Sequence, residues 1–353
     1  MRKKVVLAYS GGLDTSFCIK HLTVDRVLEV HAVMVDTGGF SEEEVKVAKE
    51  KAFNLGAVSF EKIDAVEDYY DKCIKYLIYG NVLRNNTYPL SVSAERIVQA
   101  VGVVEYANKV NAKYVAHGST GAGNDQVRFD LMIQILGKNL EVITPIRDLQ
   151  LSRQAEIEYL KKHGIDLNWE KAKYSVNKGI WGTSVGGAET LTSDKALPSS
   201  AYPTQLSKET PETATLHFKE GELIGLNDTF FDHPTQAIKA LQVIAGAFAI
   251  GRDIHVGDTI IGIKGRVGFE AAAPLVIIKA HHLLEKHTLT KWQQYWKEQL
   301  ANWFGMLLHE GQYLEPVMRN IETFLTDTQE NVTGKVFVQL HPYRFELLGI
   351  ESP

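Results

Sequence analysis

The sequence has very little cysteine and no long apolar run. Cys18 and Cys73 are the only cysteines among 353 residues, and neither belongs to a CxxC motif or a His/Cys cluster. A disulfide framework and a zinc site therefore both lack the ligands that they need, and we expect a reducing cytoplasm as the location. The apolar run after Met1–Lys4 stops at Ser10, which is too short for a signal-peptide core. No later run reaches about 18 apolar residues, so we predict neither an export signal nor a membrane span.

An excess of positive charge is also missing. The formal net charge is -5, which argues against a general polyanion-binding surface, so nucleic acid is not expected as a partner. The chain is longer than one hydrophobic core usually organises, and 44% of its residues are hydrophobic. Two domains, each with its own core, are therefore expected.

Periodicity in the first half of the chain predicts an α/β fold. Short β-branched runs alternate with amphipathic stretches, which predicts buried parallel strands at residues 4–8, 30–35, 58–63 and 114–116. Ser41 and Glu44 form a capping box that opens a helix ending at Gly56, and another helix is expected over 94–111. This repeat predicts a doubly wound, mostly parallel nucleotide-binding domain over residues 1–165.

The remaining residues, 166–353, have a different pattern, which predicts a second, α+β domain. Residues 192–210 are rich in Ser, Pro and Thr, which predicts a long surface loop or arm. The other expected elements are a hairpin around 219–222, a helix over 235–250, long helices between 279 and 310, and strands flanking 341–342.

The first chemical motif directly follows the first predicted strand. Its glycines allow the backbone N–H groups to turn toward an anion, its hydroxyls add donors, and the following helix adds its dipole. The alternative is an ordinary glycine-rich turn between strand and helix. The segment lacks the Gly-Lys-Ser/Thr of a Walker loop, and its residues are Ala8, Tyr9, Ser10, Gly11, Gly12, Leu13, Asp14, Thr15 and Ser16.

Asp14 is unexpected in such a loop, because a carboxylate repels phosphate. Two explanations stay open: a Mg²⁺ ion stands between the carboxylate and the phosphates, or Asp14 caps the following helix and binds nothing.

The SGGxDS pattern resembles the loop of the N-type ATP pyrophosphatases, which cut ATP between its α and β phosphates. The resemblance implies ATP and Mg²⁺ as cofactors, with pyrophosphate held by residues 10–16. GMP, NAD and asparagine synthetases and tRNA-thiolating enzymes carry similar loops, and a non-enzymatic nucleotide-binding module is a further alternative. A second motif is needed to choose among them.

The second motif follows the predicted strand 114–116, at the sheet edge where open α/β sheets bind ligands. Residues 117–130 contain three glycines, which permit close backbone approach. They also concentrate a hydroxyl, an amide, a carboxylate and a guanidinium, a set suited to an amino acid with both charges: Thr120, Asn124, Asp125 and Arg128. The alternative is a polar loop capped by its own side chains.

This second string resembles the signature of the argininosuccinate synthase family. The resemblance implies that Thr120, Asn124 and Asp125 bind aspartate and that Asn124 and Arg128 bind citrulline. It also implies that Gly118 and Val35 lie beside ATP, and it makes Asp14, Asp125 and Arg128 the catalytic candidates. Further residues match family contacts to citrulline: Tyr88, Ser93, Ser175 and Ser184.

The reaction implied by the resemblance activates a ureido group with ATP. The ureido oxygen attacks the α-phosphorus, pyrophosphate leaves, and the aspartate amine displaces AMP from the adenylated carbon. No covalent enzyme intermediate is required, and catalysis relies on positioning and on stabilising phosphate charge. Asp125 either orients the amine or acts as its base.

The chain also departs from the family pattern. Ala122 stands where relatives commonly have lysine, and Asn177-Lys178-Gly179 replaces an acid-rich run. The chain ends at Pro353, where relatives continue into an arm that ties tetramers together. The resemblance implies that residues 166–353 are the synthetase domain, which binds substrate and forms the contacts of a homo-oligomer, either a dimer or a tetramer.

Two further departures concern the ureido substrate. Gly257 replaces a glutamate and Phe269 a tyrosine, and the lost glutamate would pair with the α-ammonium of citrulline. We therefore expect an N-acylated citrulline such as N-succinyl-citrulline, with the acyl group in the volume vacated at Gly257 and its carboxylate on Lys178. The alternative is free citrulline, with Asp258 or Glu270 supplying the missing acid.

Overall fold

The computed structural model describes residues 2–121, 123–165 and 174–353. The strands are β1 (Lys4–Ala8), β2 (Glu29–Asp36), β3 (Ser59–Asp64), β4 (Tyr114–Ala116), β5 (Glu141–Ile143), β6 (Ser175–Gly179), β7 (Gly182–Gly186), β8 (Glu212–Lys219), β9 (Glu222–Leu226), β10 (Thr229–Phe230), β11 (Arg252–Asp258), β12 (Lys264–Glu270), β13 (Gly334–His341) and β14 (Arg344–Glu351).

The α-helices in the same residues are α1 (Leu13–Val24), α2 (Glu42–Leu55), α3 (Val66–Tyr69), α4 (Lys75–Tyr79), α5 (Glu95–Lys109), α6 (Asn124–Leu136), α7 (Pro145–Leu149), α8 (Arg153–Lys162), α9 (Pro234–Gly246), α10 (Ala272–Thr288), α11 (Lys291–His309) and α12 (Pro316–Asp327). A π-helical turn, Tyr70–Ile74, joins α3 to α4. None of the helices in the described ranges combines the length and the apolarity that crossing a membrane requires.

The chain divides into two compact units. The first comprises the described residues of Met1–Ala65, Glu95–Lys173 and Thr259–Ile261, and the second comprises Val66–Ala94, Tyr174–Asp258 and Gly262–Pro353. The predicted division at residue 165 assigns 66–94 to the first domain, whereas these residues belong to the second unit. Long-range polar contacts explain the difference, because Glu222 accepts hydrogen bonds from Tyr70 at 2.8 Å and from Lys75 at 2.7 Å.

The first unit contains a five-stranded parallel sheet in the order β3-β2-β1-β4-β5. Central β1 pairs with β2 on one side and β4 on the other, so Leu7 stands opposite both Ala32 and Ala116. Strands β2 and β3 follow β1 on one side, and β4 and β5 then add on the other side. This reversal of strand order leaves a crevice at the carboxyl ends of β1 and β4. The predicted α/β class is confirmed, and both glycine-rich motifs begin at this crevice.

Local signals account for the boundaries in this unit. The Ser41–Glu44 capping box forms: the Glu44 amide donates to Ser41 Oγ at 3.2 Å, and the Ser41 amide donates to Glu44 Oε2 at 2.8 Å. Gly56 ends α2 with a φ of 112°, a left-handed conformation that glycine adopts at little cost. Apolar residues of β1, β2 and α1 are buried between the layers, among them Val5, Leu7, Ile19, Leu22, Val30 and Met34.

The second unit contains two antiparallel sheets, β10-β9-β8-β13-β14 and β11-β12-β7-β6. The predicted α+β character, the hairpin at 219–222 and the terminal strand pair are confirmed. Residues 192–210 contain no strand or α-helix, as predicted. They are not a detached arm, however, because Leu197, Ala201 and Tyr202 are buried against Val185.

Candidate active site

The first glycine-rich loop joins β1 to α1, and its backbone is arranged as an anion site requires. Gly11 has a φ of 78°, and a Cβ at this position would stand only 3.2 Å from Ala48 Cβ, so glycine is needed there. Gly12 is the N-cap of α1, and no side chain caps the helix. The first-turn N–H groups and the helix dipole therefore face the loop without a capping side chain.

The hydroxyl groups of the loop differ in exposure. Ser10 is exposed, and its Oγ lies 3.2 Å from Thr15 Oγ1. Ser16 is fully buried and Thr15 nearly so, whereas Tyr9 is buried with its hydroxyl donating to the Ala48 carbonyl at 3.3 Å. Ser10 is thus the hydroxyl of this segment that is best placed to reach a ligand.

Asp14 is the second residue of α1, two positions after the N-cap Gly12, so it is not the cap of this helix. Its neighbour is Glu156 on α8, a residue that sequence analysis missed. Burial raises the pKa of both carboxyl groups, and the charge of Asp14 helps raise that of Glu156 to about 8. Glu156 Oε2 is buried without a hydrogen-bond partner among the described residues. Two adjacent carboxyl groups that retain a proton, one of them with an oxygen that lacks a hydrogen-bond partner among the described residues, are suited to binding a cation.

A signal for Glu156 existed in the sequence. It occupies the same stripe of α8 as the buried residues Ile157 and Leu160, where an amphipathic helix normally carries an apolar side chain. The described residues contain no group of three or more His, Cys, Asp or Glu side chains that would hold a metal ion by itself.

The second glycine-rich loop follows β4 and contacts the first. A Cβ at Gly118 would stand 3.3 Å from both Asp14 Cβ and Thr15 Cγ2, so glycine permits this approach. His117 holds the loop in place through both ring nitrogens. Its Nε2 lies 2.9 Å from Asp130 Oδ1, and its Nδ1 accepts a hydrogen bond from the Ser119 amide at 3.3 Å. The neighbouring Ala122 lies outside the described residues.

Asp125, in the first turn of α6, is held by two guanidinium groups. Arg96 Nε lies 2.9 Å from Asp125 Oδ2, and Arg128 Nη1 lies 3.0 Å from Asp125 Oδ1. Burial opposes ionisation, yet Arg96 and Arg128 together hold the pKa of Asp125 below its usual value. Arg96, on α5, is a second residue that sequence analysis missed, since its role depends on the packing of α5 against α6.

The other predicted residues of the first unit are Val35, Asn124 and Thr120. Val35 is buried near the carboxyl end of β2, beside β1. Asn124 Oδ1 accepts a hydrogen bond from the Ile260 amide at 2.8 Å, and Thr120 is exposed. The structure thus brings Val35 and Gly118 to the sheet edge that carries the first loop, whereas Asn124 begins α6 beside Ile260.

The predicted citrulline residues of the second unit lie on or near the smaller sheet. Ser184 stands directly opposite Phe269, and Ser175 shares its face of the sheet because the two residues are separated by even steps in the register. The Tyr88 ring lies 5.2 Å from that of Phe269, and its hydroxyl accepts from the Val92 amide at 3.0 Å. Ser93 Oγ is buried without a partner in the described part of the chain.

The register of β11 with β12 tests where the alternative acids lie. Gly257 pairs with Gly265 and shares its face with Phe269, whereas Asp258 and Glu270 lie on the opposite face. Each of those two acids already has a cation: Lys264 Nζ lies 2.7 Å from Asp258, and Arg252 Nε lies 3.1 Å from Glu270. Neither acid is placed to replace a carboxylate at position 257.

Two details of the expected acyl site are wrong. Lys178 pairs with Thr183, which pairs with Glu270, so Lys178 lies on the face opposite Gly257 and cannot receive the acyl carboxylate there. The volume beside Gly257 is not empty either, because a Cβ at this position would stand 2.7 Å from His255 Nε2. The His255 side chain therefore occupies the space that a side chain at position 257 would need.

Comparison with known proteins agrees with the architecture. Residues 4–166 match the family model described as the arginosuccinate synthase N-terminal HUP domain, and residues 174–353 match that of the arginosuccinate synthase C-terminal domain. These matches, with the two loops at the crevice, define a nucleotide-binding domain joined to a synthase domain.

Several curated relatives are similar along their length. The argininosuccinate synthase of Methanocaldococcus jannaschii is 38% identical over 358 residues, covering 100% of this chain and 89% of the relative. That of Dictyoglomus thermophilum is 37% identical over 355 residues, covering 100% and 88%, and that of Pyrococcus furiosus is 37% identical over 353 residues, covering 99% and 85%. The chain belongs to the argininosuccinate synthase family and is an ATP-dependent ligase.

Proposed function

We propose that this enzyme joins the amine of aspartate to the ureido carbon of citrulline, or of an N-acylated citrulline, while ATP is split to AMP and pyrophosphate. The product is argininosuccinate or its N-acyl form, an intermediate of arginine biosynthesis. The observation that carries the proposal is the contact of the two glycine-rich loops at Gly118, which joins a phosphate-binding segment to one suited to an amino acid.

The chemistry proceeds through an adenylated ureido group. The ureido oxygen forms a bond to the α-phosphorus of ATP as the bond to pyrophosphate breaks. The aspartate amine then attacks the activated carbon, loses a proton, and AMP departs with the former ureido oxygen. Backbone N–H groups at Gly11 and Gly12, and the amino end of α1, stabilise the charge that develops on the leaving pyrophosphate.

Asp125 has the properties of an orienting carboxylate. Its lowered pKa keeps it ionised at neutral pH, whereas an efficient general base has a pKa near the working pH. Fixed by Arg96 and Arg128, it offers a rigid acceptor for the aspartate amine. We therefore assign Asp125 to positioning of the amine, with Thr120 and Asn124 as further aspartate contacts.

Mg²⁺ accompanies ATP in this proposal, and Asp14 with Glu156 would hold it. Carboxylate oxygens are the ligands that Mg²⁺ prefers, and Glu156 Oε2 is buried and unpartnered in the described residues. When bound, the ion neutralises charge on the departing pyrophosphate. The two carboxyl groups would release the proton that they hold between them when the cation arrives.

The ureido substrate in this proposal has an acylated α-nitrogen, with free citrulline as the second candidate. A free α-ammonium needs a carboxylate partner, and in the described residues of β11 and β12 the acids nearest Gly257 lie on the opposite face. Asp253 does share the face, but it stands four residues away, about 13 Å along the strand. An uncharged amide at this position has no such requirement.

The two cysteines do not favour sulfur transfer as a rival function. Cys18 and Cys73 are both fully buried, and burial raises the pKa of Cys18, which suppresses the reactive thiolate. A reduced, buried pair also suits an enzyme working in the cytoplasm.

We further propose a homo-oligomer, dimer or tetramer. The support is a stripe of exposed aromatic residues on α11, a surface larger than a solitary soluble helix usually leaves uncovered: Trp292, Tyr295, Trp296 and Trp303. Light scattering coupled to size-exclusion chromatography measures the mass directly. A monomer at micromolar concentration would contradict this part of the proposal.

Product analysis tests the reaction itself. Phosphorus NMR of a reaction with ATP, aspartate and each ureido compound in turn should show AMP and pyrophosphate, formed only when aspartate and a ureido substrate are both present. Accumulation of ADP and phosphate would overturn the assignment. Steady-state kinetics with citrulline, N-acetyl-citrulline and N-succinyl-citrulline then ranks the substrates, and a higher kcat/KM for free citrulline would refute the acyl-substrate part alone.

A further inference from the structure

Two hydrogen-bond donors lie beside Gly257 in the second unit. The position that a Cβ of residue 257 would take is 2.7 Å from His255 Nε2 and 3.4 Å from Asn85 Nδ2. Asn85 is fixed there by a hydrogen bond from the same nitrogen to the Val256 carbonyl at 3.1 Å, which uses one of its two N–H groups.

The imidazole of His255 is held in place by aromatic packing. Its ring stacks on Tyr88, with centroids 4.9 Å apart and an interplanar angle of 23°, and the residue is 7% exposed. Burial, aided by the charge of Arg84, lowers the pKa of His255 to about 4. The ring is therefore neutral at pH 7 and carries one donor and one acceptor nitrogen.

The surroundings determine which nitrogen is the donor. His255 Nδ1 is buried without a hydrogen-bond partner among the described residues, whereas Nε2 lies next to Gly257. A buried N–H without an acceptor is costlier and rarer than a buried acceptor without a donor. We therefore assign the proton to Nε2, so that both polar groups next to Gly257 present N–H donors.

A pair of donors selects the charge and polarity of its ligand. An ammonium has three donors and no acceptor, so it would meet the N–H groups of His255 and Asn85 unfavourably. An amide carbonyl offers two acceptor lone pairs and matches them. The acids nearest on these strands do not favour an ammonium either, because Asp258 and Glu270 lie on the opposite face of the sheet. Each already pairs with a cation, Lys264 and Arg252 respectively.

We infer that His255 and Asn85 form a subsite for an acceptor oxygen, the carbonyl of an acyl group on the α-nitrogen of the ureido substrate, and that His255 is a specificity-determining residue. This inference rests on the proposed function and names the groups that would carry out its substrate choice. It also replaces the idea of an empty acyl pocket, because recognition here comes from donors and not from vacated volume.

The test compares kcat/KM for N-acetyl-citrulline with that for citrulline in four proteins. His255→Phe keeps a ring that stacks on Tyr88 but has no donor, and we expect the preference for the acylated substrate to fall about 3- to 10-fold, the value of one hydrogen bond. His255→Gln places an amide N–H near the former Nε2 and should retain most of the preference. The matched control is His217→Phe on β8, in the other sheet, which should leave the ratio unchanged.

Each outcome is informative. If the wild type prefers the acylated substrate but His255→Phe keeps the same ratio, the inference is wrong and the proposed function stands. If the wild type already prefers free citrulline, the acyl substrate and the subsite fail together. Should His255→Phe not fold, Asn85→Ala decides the question, because Asn85 is exposed and its loss should lower the same ratio.

Discussion

A buried ion pair in the second unit offers a sharp test of how this fold is stabilised. Lys297 and Glu285 are 1% and 0% exposed at their side chains, and Lys297 Nζ lies 2.8 Å from Glu285 Oε2. Lys297 also donates to the Tyr79 carbonyl at 2.7 Å, which ties α11 to the end of α4. Replacing Lys297 with methionine keeps an unbranched, uncharged side chain of similar length and removes the ammonium.

The magnitude follows from what Lys297→Met leaves behind. Removing one partner of a buried ion pair costs about 3–5 kcal/mol, because the remaining charge is desolvated and unpaired. Glu285 keeps hydrogen bonds from Gln329, at 2.9 Å, and from Asn81, which places the expected loss near the lower limit, about 3 kcal/mol. The Tyr79 carbonyl also loses its donor.

Urea unfolding followed by tryptophan fluorescence measures this loss, since Trp181, Trp292, Trp296 and Trp303 all belong to the second unit. The control is Lys208→Met, which breaks the exposed pair with Glu212 at 2.7 Å and should cost below about 1 kcal/mol. Adding Glu285→Gln to Lys297→Met should recover part of the loss by removing the orphaned charge. Equal costs for the buried and exposed pairs would refute the reasoning.

Three further predictions concern the proposed site. Asp14→Asn should raise the KM for ATP at fixed Mg²⁺ without lowering the melting temperature, because the variant loses a carboxylate that would hold the metal. Normal turnover combined with a lower melting temperature would count against a metal role for Asp14. Gly118→Val should raise the KM for ATP about tenfold or more, because its side chain would press on Asp14 and Thr15 at about 3.3 Å, and unchanged ATP kinetics would contradict the loop contact. His255 should make stability pH-dependent: its pKa falls from 6.5 to about 4 on folding, so its contribution is complete above pH 6.5 and is lost as the pH falls toward 4. Acid titration of His255→Phe should lack that decline, and an identical profile for both proteins would show that His255 does not titrate in this range.

Much of the architecture could be predicted from the sequence because it depends on near neighbours along the chain. The β-branched runs of β1 and β2, the Ser41–Glu44 capping box and the turn at Gly11 each involve a few consecutive residues. Strand–loop–helix order then places both glycine-rich motifs at the carboxyl edge of a parallel sheet. The α/β class and the identity of the two loops follow from such local patterns.

The partners of individual side chains depended on the tertiary structure. Two of these pairs join residues that are distant in sequence: Glu156 with Asp14, and Arg96 with Asp125. The third, His255 with Gly257, joins residues two positions apart on one strand. Helix packing brings the first two pairs together, and no local pattern encodes it.

Strand register decided the remaining questions. Side chains alternate between the faces of a sheet, so a one-residue shift in strand pairing would move Lys178 or Glu270, which lie on other strands, to the face of Gly257. Composition and motif spacing are unchanged by such a shift, and they cannot predict which face a charge occupies. Residues 66–94 likewise join the second unit through Glu222 and Lys297, contacts that become possible only once the distant segments have folded.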